Sequence, residues 1–143
     1  MKTKPPKPLF ERILAFISLF ELPGYKYGTW HDKVIHFCYS SDVTNFITTL
    51  YEDSWIYDFN WGKWHSEALA FYRDSSKLAS ASVEQLQKLL TFHVRKDRFV
   101  EGHLAAMLEE GHILAILRRI AEIYNQDSKE NQTKIPRKNL ELS

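Results

Sequence analysis

Apolar side chains recur at three- and four-residue steps from the start of the chain. Over residues 8–21, Phe10, Ile13, Leu14, Ile17 and Phe20 share one face of a predicted helix, which Pro23 and Gly24 stop. The spacing then changes. Tyr25 to Trp30 is a glycine-punctuated aromatic segment with the look of a short strand, and Lys33 to Tyr39 is rich in β-branched and aromatic residues and reads as a strand. Helical spacing returns after Ser40, Ser41 and Asp42, any of which can cap a helix to about Asp53 with Val43, Phe46, Ile47 and Leu50 inward. Trp55-Ile56-Tyr57 is the next predicted strand. Asp58 or Asn60 then caps a helix from about Trp61 to Arg73, and Asp74 to Ser82 reads as a polar turn broken by Leu78. Ser82 and Gln85 have capping-box spacing at the head of a helix running from Val83 to about Glu101. Gly102 and Gly111 bracket a two-turn piece, and a last helix covers His112 to Tyr124. The fold class this predicts is α+β and mainly helical: a single compact domain with a small two- or three-stranded sheet packed against helices.

The helix after Ser82 carries the most informative pattern. Val83, Leu86, Leu89, Leu90, Val94 and Val100 fall on an arc of about 140°. His93, Asp97 and Glu101 fall in the same arc, each four residues from the last, so they stack along an apolar face. Ionisable groups on such a face need pairing or a metal, because buried charge is costly. Three readings follow. In the first, the stack is a structural network, with Asp97 orienting His93 and with Arg95 or Arg98 neutralising Glu101. In the second, His93, Asp97 and Glu101 form a metal or acid–base site joined by His103 or His112, since imidazole with carboxylate suits both a divalent metal and proton transfer. In the third, the acids face a partner. The spacing lacks the HExxH order of a zinc protease. Glu101-Gly102-His103 recurs as Glu110-Gly111-His112, read either as two successive helix ends or as paired His/Glu contributions to one site.

Composition sets limits on this picture. The chain has 143 residues, 44% hydrophobic and 14% aromatic, with five glycines and five prolines, which fits one domain with a real core and excludes a collagen-like or wholly disordered chain. Purely apolar runs such as Ile13–Ile17 and Ile113–Leu117 are five residues long, far short of the roughly 20 a membrane helix needs. Lys2, Lys4 and Lys7 precede Glu11 and Arg12 within the first apolar stretch, which does not read as a secretory leader, and the expected location is the cytoplasm. The net charge of +1 is unevenly spread: residues 8–125 carry 12 basic and 15 acidic side chains, so the basic excess sits at the ends. The expected organisation is a flexible N-terminus over 1–7, a globular domain over 8–125 and a disordered tail over 126–143. An acidic body argues against nucleic-acid binding, although the aromatic cluster Trp55, Tyr57, Phe59, Trp61, Trp64, Phe71 and Tyr72 keeps a weak stacking mode in view beside core packing and a partner surface.

Nucleotide-loop and serine-hydrolase motifs are absent. Cys38 follows Phe37 in a predicted strand and reads as a buried, inert thiol. His31 beside Asp32 reads as a loop histidine, His36 points off the apolar side of its strand, and His65 reads as a surface residue.

Three segments in this order are similar to one family: FISLFELPGYKYGTW from Phe16, DFNWGKW from Asp58 and the stretch Leu89 to Ile120, whose R-x-x-R-F-x-x-G-x-L core holds Arg95, Arg98, Phe99, Glu101, Gly102 and Leu104. The chain resembles the bacterial and archaeal domain-of-unknown-function family 6508 over about residues 10–124. The resemblance implies a compact single domain whose signature is the 95–120 segment, with no activity to carry over. Members often read R-x-E-R-F where this chain has Asp97, so the acid is kept at a different length.

The function expected from these readings is a small soluble, non-catalytic binding or regulatory module, acting through a protein partner or a second copy of itself, with the enzyme question left open by the runner-up. Arg95, Arg98, His103, Glu110 and His112 are its candidate binding residues. The runner-up is a metal-assisted hydrolase using His93, Asp97 and Glu101, for which a divalent metal is the one cofactor the residues would suit. A weak nucleic-acid binder ranks third.

Overall fold

The computed structural model describes residues 4–31 and 36–142, with side chains as far as Asp127. Helices α1 (Glu11–Leu14) and α2 (Phe16–Phe20) follow one another, separated by Ala15. The antiparallel hairpin β1 (Gly28–His31) and β2 (His36–Tyr39) comes next, in register Gly28 to Tyr39 and His31 to His36. After it come α3 (Ser41–Glu52), a 3-10 turn (Trp61–Trp64), α4 (His65–Arg73), α5 (Ser75–Ala79), α6 (Val83–Asp97), α7 (His103–Glu109) and α8 (His112–Leu142). The fold is a single compact, mainly helical α+β unit, as its periodicities predict.

Most helix starts lie where the sequence puts them, for the reasons it gives. Ser40 caps α3 by accepting from the Val43 amide, and Ser82 and Gln85 form a reciprocal capping box on α6. The first helix divides at Ala15, and the segment after Trp61 opens as a 3-10 turn before becoming α4. Leu78 gives Ser75–Ala79 an apolar anchor, so the expected polar turn is a short helix capped by Asp74.

Three expectations are corrected. Trp55-Ile56-Tyr57 is not a strand, and the only sheet among the described residues has two strands. The segment is apolar because it crosses the core: Trp55 is fully buried, the Trp55 and Ile56 amides both donate to the Leu50 carbonyl, and the Tyr57 amide donates to Thr91 Oγ1. Cys38 is exposed, not buried. Strand alternation decides this, since Phe37 faces the body and places Cys38 on the outer face with His36. The helix expected from Val83 to about Glu101 ends at Asp97, so Phe99 lies beyond it and is 77% exposed. Residues 33–35 of the expected second strand, and Asp32, lie outside the described residues.

The core lies around α6, whose length from Leu86 to Val94 is almost wholly buried against α4, α7, α8 and the 3-10 turn. Ile113, Ile116, Leu117 and Ile120 of α8 close it from one side, and Val43, Phe46 and Leu50 of α3 from another. The buried Gln87 amide donates to the carbonyls of Pro6 and Ser54 at 2.8 Å each, and Trp55 Nε1 donates to the Leu9 carbonyl, so the chain is hydrogen-bonded to the body from Pro6 onward. Arg12 adds a two-pronged ion pair to the buried Asp53.

Candidate functional site

The predicted polar stack divides into two structures with different jobs. Asp97 and Glu101 turn towards the hairpin. Asp97 Oδ1 accepts from the Tyr39 hydroxyl at 2.6 Å and from the Leu104 amide at 2.9 Å, and the Ala105 amide donates to the same Tyr39 oxygen at 3.0 Å. The first amides of α7 have no side-chain cap of their own, because Gly102 occupies the N-cap. Asp97 and Tyr39 satisfy them from outside, and the Asp97 carboxylate lies at the positive end of the helix. Glu101 accepts from the Phe37 amide at 2.6 Å and pairs with His36 Nδ1 at 2.8 Å. Trp30 lies across Gly102, where an added Cβ would come within 2.7 Å of the indole. These contacts fasten the hairpin to the junction of α6 and α7.

Neither Arg95 nor Arg98 neutralises Glu101, contrary to expectation. Arg95 pairs with Asp58, and Arg98 donates to the Tyr51 hydroxyl. Asp97 does not orient His93 either, being committed to Tyr39 and Leu104. The stack's periodicity is real up to Asp97. Beyond it α6 ends, and Glu101 is carried off the arc by the turn into Gly102.

His93 turns the other way and meets both histidines of the repeated Glu-Gly-His. Its Nδ1 lies 2.9 Å from His103 Nε2 with the rings stacked, and the His112 ring stands edge-on to it at 5.0 Å between centroids. The helix-end reading of the repeat describes the geometry, and of the paired His/Glu reading only the histidines come together. Gly102 and Gly111 sit at helix ends with φ of +78° and +82°, and the histidines after them converge on one side chain. The glutamates diverge, Glu101 to the hairpin and Glu110 to the Tyr72 hydroxyl.

Burial dominates the electrostatics of the cluster. It holds the His93 imidazole well below the usual histidine range, with the neighbouring His112 and His103 acting in the same direction. It lowers His103, helped by Lys96, and pushes His112 down to about 4 against the opposing pull of Glu110. All three rings are therefore neutral near pH 7. A single hydrogen links His93 to His103, so the tautomer of one fixes that of the other. The Nε2 atoms of His93 and His112 are buried without a hydrogen-bond partner among the described residues. A buried polar atom in that state costs roughly 1–3 kcal/mol, which marks the cluster as something other than ordinary core.

Beside the cluster, between α4, α6 and α7, lies a recess of about 190 Å³. Its buried wall is Ala68, Phe92, His93 and Met107. Nearer solvent are His65, which is exposed as expected, Tyr72 and the half-buried Lys96 and His103. Lys96 has no carboxylate within 4 Å among the described residues, and its ammonium lies 5.4 Å from the Phe92 ring centre. Tyr72, Phe92, Lys96 and Met107 do not stand out in the sequence as site residues. The one available signal is that Phe92 and Lys96 flank His93 on its own helix, within an arc shared by Leu89. Among the described residues no group of three or more His, Cys, Asp or Glu side chains is arranged to hold a metal ion.

The model of the Family of unknown function (DUF6508) matches residues 7–126. The chain belongs to that family. The R-x-x-R-F-x-x-G-x-L segment that carries the resemblance spans the end of α6, the turn through Gly102 and the start of α7, where the hairpin is fastened. No curated protein and no solved structure matches the chain.

Proposed function

We propose that this member of the DUF6508 family is a small non-catalytic module that holds a compact ligand in the recess between α4, α6 and α7. The observation that carries the reading is the buried His93 ring on the recess wall. It is neutral, linked to His103 by one hydrogen, and left with a hydrogen-bonding nitrogen that has no partner among the described residues. Ligand sites have this composition, an apolar lining with a few placed polar groups. Binding without catalysis is favoured by where the acids are spent. Asp97 and Glu101 hold Tyr39, Leu104 and Phe37, and no carboxylate lines the recess to act as a general acid or base.

Protein-observed NMR, titrating a set of neutral, anionic and cationic single-ring compounds, tests the reading, with the Met107 methyl resonance as local reporter. At least one compound is expected to bind with one-to-one stoichiometry and shift Met107, and the shift should vanish in Ala68→Trp, which fills the recess from α4. If no compound perturbs Met107 while wild type is folded, the reading fails.

A further inference from the structure

The walls of the recess specify a ligand class, and the argument rests on the recess being a binding site as proposed above. Size comes first. An engineered apolar cavity of roughly 150 Å³ accommodates benzene, and the recess here is about 190 Å³. One six-membered ring with a small substituent fits. Shape and polarity come second. Phe92 and Met107 offer an aromatic face and a polarisable thioether, surfaces that suit a flat ring.

Charge decides the substituent. The only formally charged side chain lining the recess is Lys96, which is half-buried and carries no ion pair among the described residues. Asp97 and Glu110, the acids whose charges act on His103, are not among the lining residues; Asp97 is held by Tyr39 and the Leu104 amide, and Glu110 by the Tyr72 hydroxyl. His103 lies on the same side as Lys96 and can present a nitrogen to an acceptor. We propose that the recess binds a single-ring carboxylate, with the ring on Phe92 and Met107 and the carboxylate between Lys96 and His103. A carboxylate there gains a charge-assisted hydrogen bond from the ammonium. A cationic ligand would meet Lys96 with the wrong sign, and a neutral one would leave that charge unanswered.

Three probes that share a ring separate the outcomes: benzoate, benzamide and benzylamine, titrated by calorimetry into the full chain. Benzoate is expected to bind about tenfold more tightly than benzamide, with benzylamine weakest. Lys96→Met should remove the advantage of benzoate while leaving benzamide unchanged. Lys96 lies in the last turn of α6 and makes no ion pair among the described residues, and methionine keeps the contact with Phe92, so the variant's thermal stability should stay close to wild type. A second readout is independent of affinity: saturating benzoate should raise the titration midpoint of His103 in NMR, because a nearby anion favours imidazolium, and benzamide should not. Equal binding of all three probes would overturn the carboxylate assignment and leave the recess as a ring site. Tighter binding of benzylamine would overturn it as well. Failure of all three, with Met107 unmoved by any single-ring compound, would overturn the ligand-site reading itself.

Discussion

Tyr39 and Asp97 are 58 residues apart in sequence and joined by a hydrogen bond of 2.6 Å. The same Tyr39 oxygen accepts from Ala105, and the same Asp97 oxygen accepts from Leu104, so two side chains from different elements jointly cap a helix that has no cap of its own. Burial and the bond to Asp97 both push the Tyr39 hydroxyl towards staying protonated.

Removing either partner should therefore cost more than an ordinary surface hydrogen bond. Asp97→Ala is expected to destabilise the protein by about 2–3 kcal/mol and Tyr39→Phe by about 1–2 kcal/mol, as hydrogen bonds to a charged group do. The double variant should cost less than the sum of the two, by the coupling that urea unfolding can measure. Chelator should leave the melting temperature of wild type unchanged. A large chelator effect that Asp97→Ala abolishes would show a metal at Asp97 instead.

Gly111 and Gly102 distinguish backbone strain from steric contact. Both have positive φ, so alanine is strained at each by roughly 1–2 kcal/mol. At Gly111 the added Cβ meets nothing within 4 Å, and the conformational cost is the whole cost. At Gly102 it meets the far edge of the Trp30 ring, which is half-exposed and can swing away only by leaving the turn. Gly102→Ala should therefore be the more destabilising of the two. The difference should disappear in a Trp30→Ala background when both are compared by denaturant midpoint.

Acid should loosen the fold through the histidine cluster. The His93, His103 and His112 pKa values are all lowered in the folded state, so below about pH 6.5 the unfolded chain binds more protons than the native one. Their contribution is fully present above about 6.5 and is lost as pH falls towards 4, the value to which His112 is pushed. Urea midpoints at pH 7, 6 and 5 should decline in that order. His112→Phe, which keeps a ring against Tyr72, should flatten the decline. A midpoint that rises on acidification would contradict the burial of these rings.

The C-terminal side of α8 should separate sharply at Tyr124. That ring stacks on Phe10 at 5.7 Å between centroids, and Ile123 packs on the core. Residues 126–143 contain only Ile135, Leu140 and Leu142 as large apolar side chains. Deleting 126–143 is expected to leave the melting temperature nearly unchanged, and deleting 123–143 to lower it by several degrees. Equal losses would show that the last residues are bound to the body.

Much of this fold can be read from spacing alone. The caps at Ser40 and Ser82, the strand partner Phe37 and the glycine ends at 102 and 111 each depend on local chemistry, and local chemistry is what a sequence displays. The errors lie where burial and local pattern say different things. Trp55-Ile56-Tyr57 looks like a strand because a core-crossing segment and a buried strand have the same composition, and only the Leu50 carbonyl and Thr91 hydroxyl distinguish them. Cys38 is a different case: the alternation that places His36 outward also places Cys38 outward. The candidate site was half legible. Helical periodicity finds His93 on an apolar face, and the repeated Glu-Gly-His marks its two partners. The destinations of Asp97 and Glu101 depend on a hairpin about 60 residues earlier, which no periodicity within α6 can reveal.

The fastening of the hairpin also has a consequence for the order of events in folding. An isolated two-stranded ribbon is barely stable in water. The bonds that hold this one, Tyr39 to Asp97, Ala105 to Tyr39 and Phe37 to Glu101, all require the turn between α6 and α7 to be in place first. The ribbon is therefore expected to be the last piece to dock and the first to leave. Substitutions at Tyr39 or Asp97 should speed unfolding far more than they slow refolding, because they weaken contacts that form after the rate-limiting barrier.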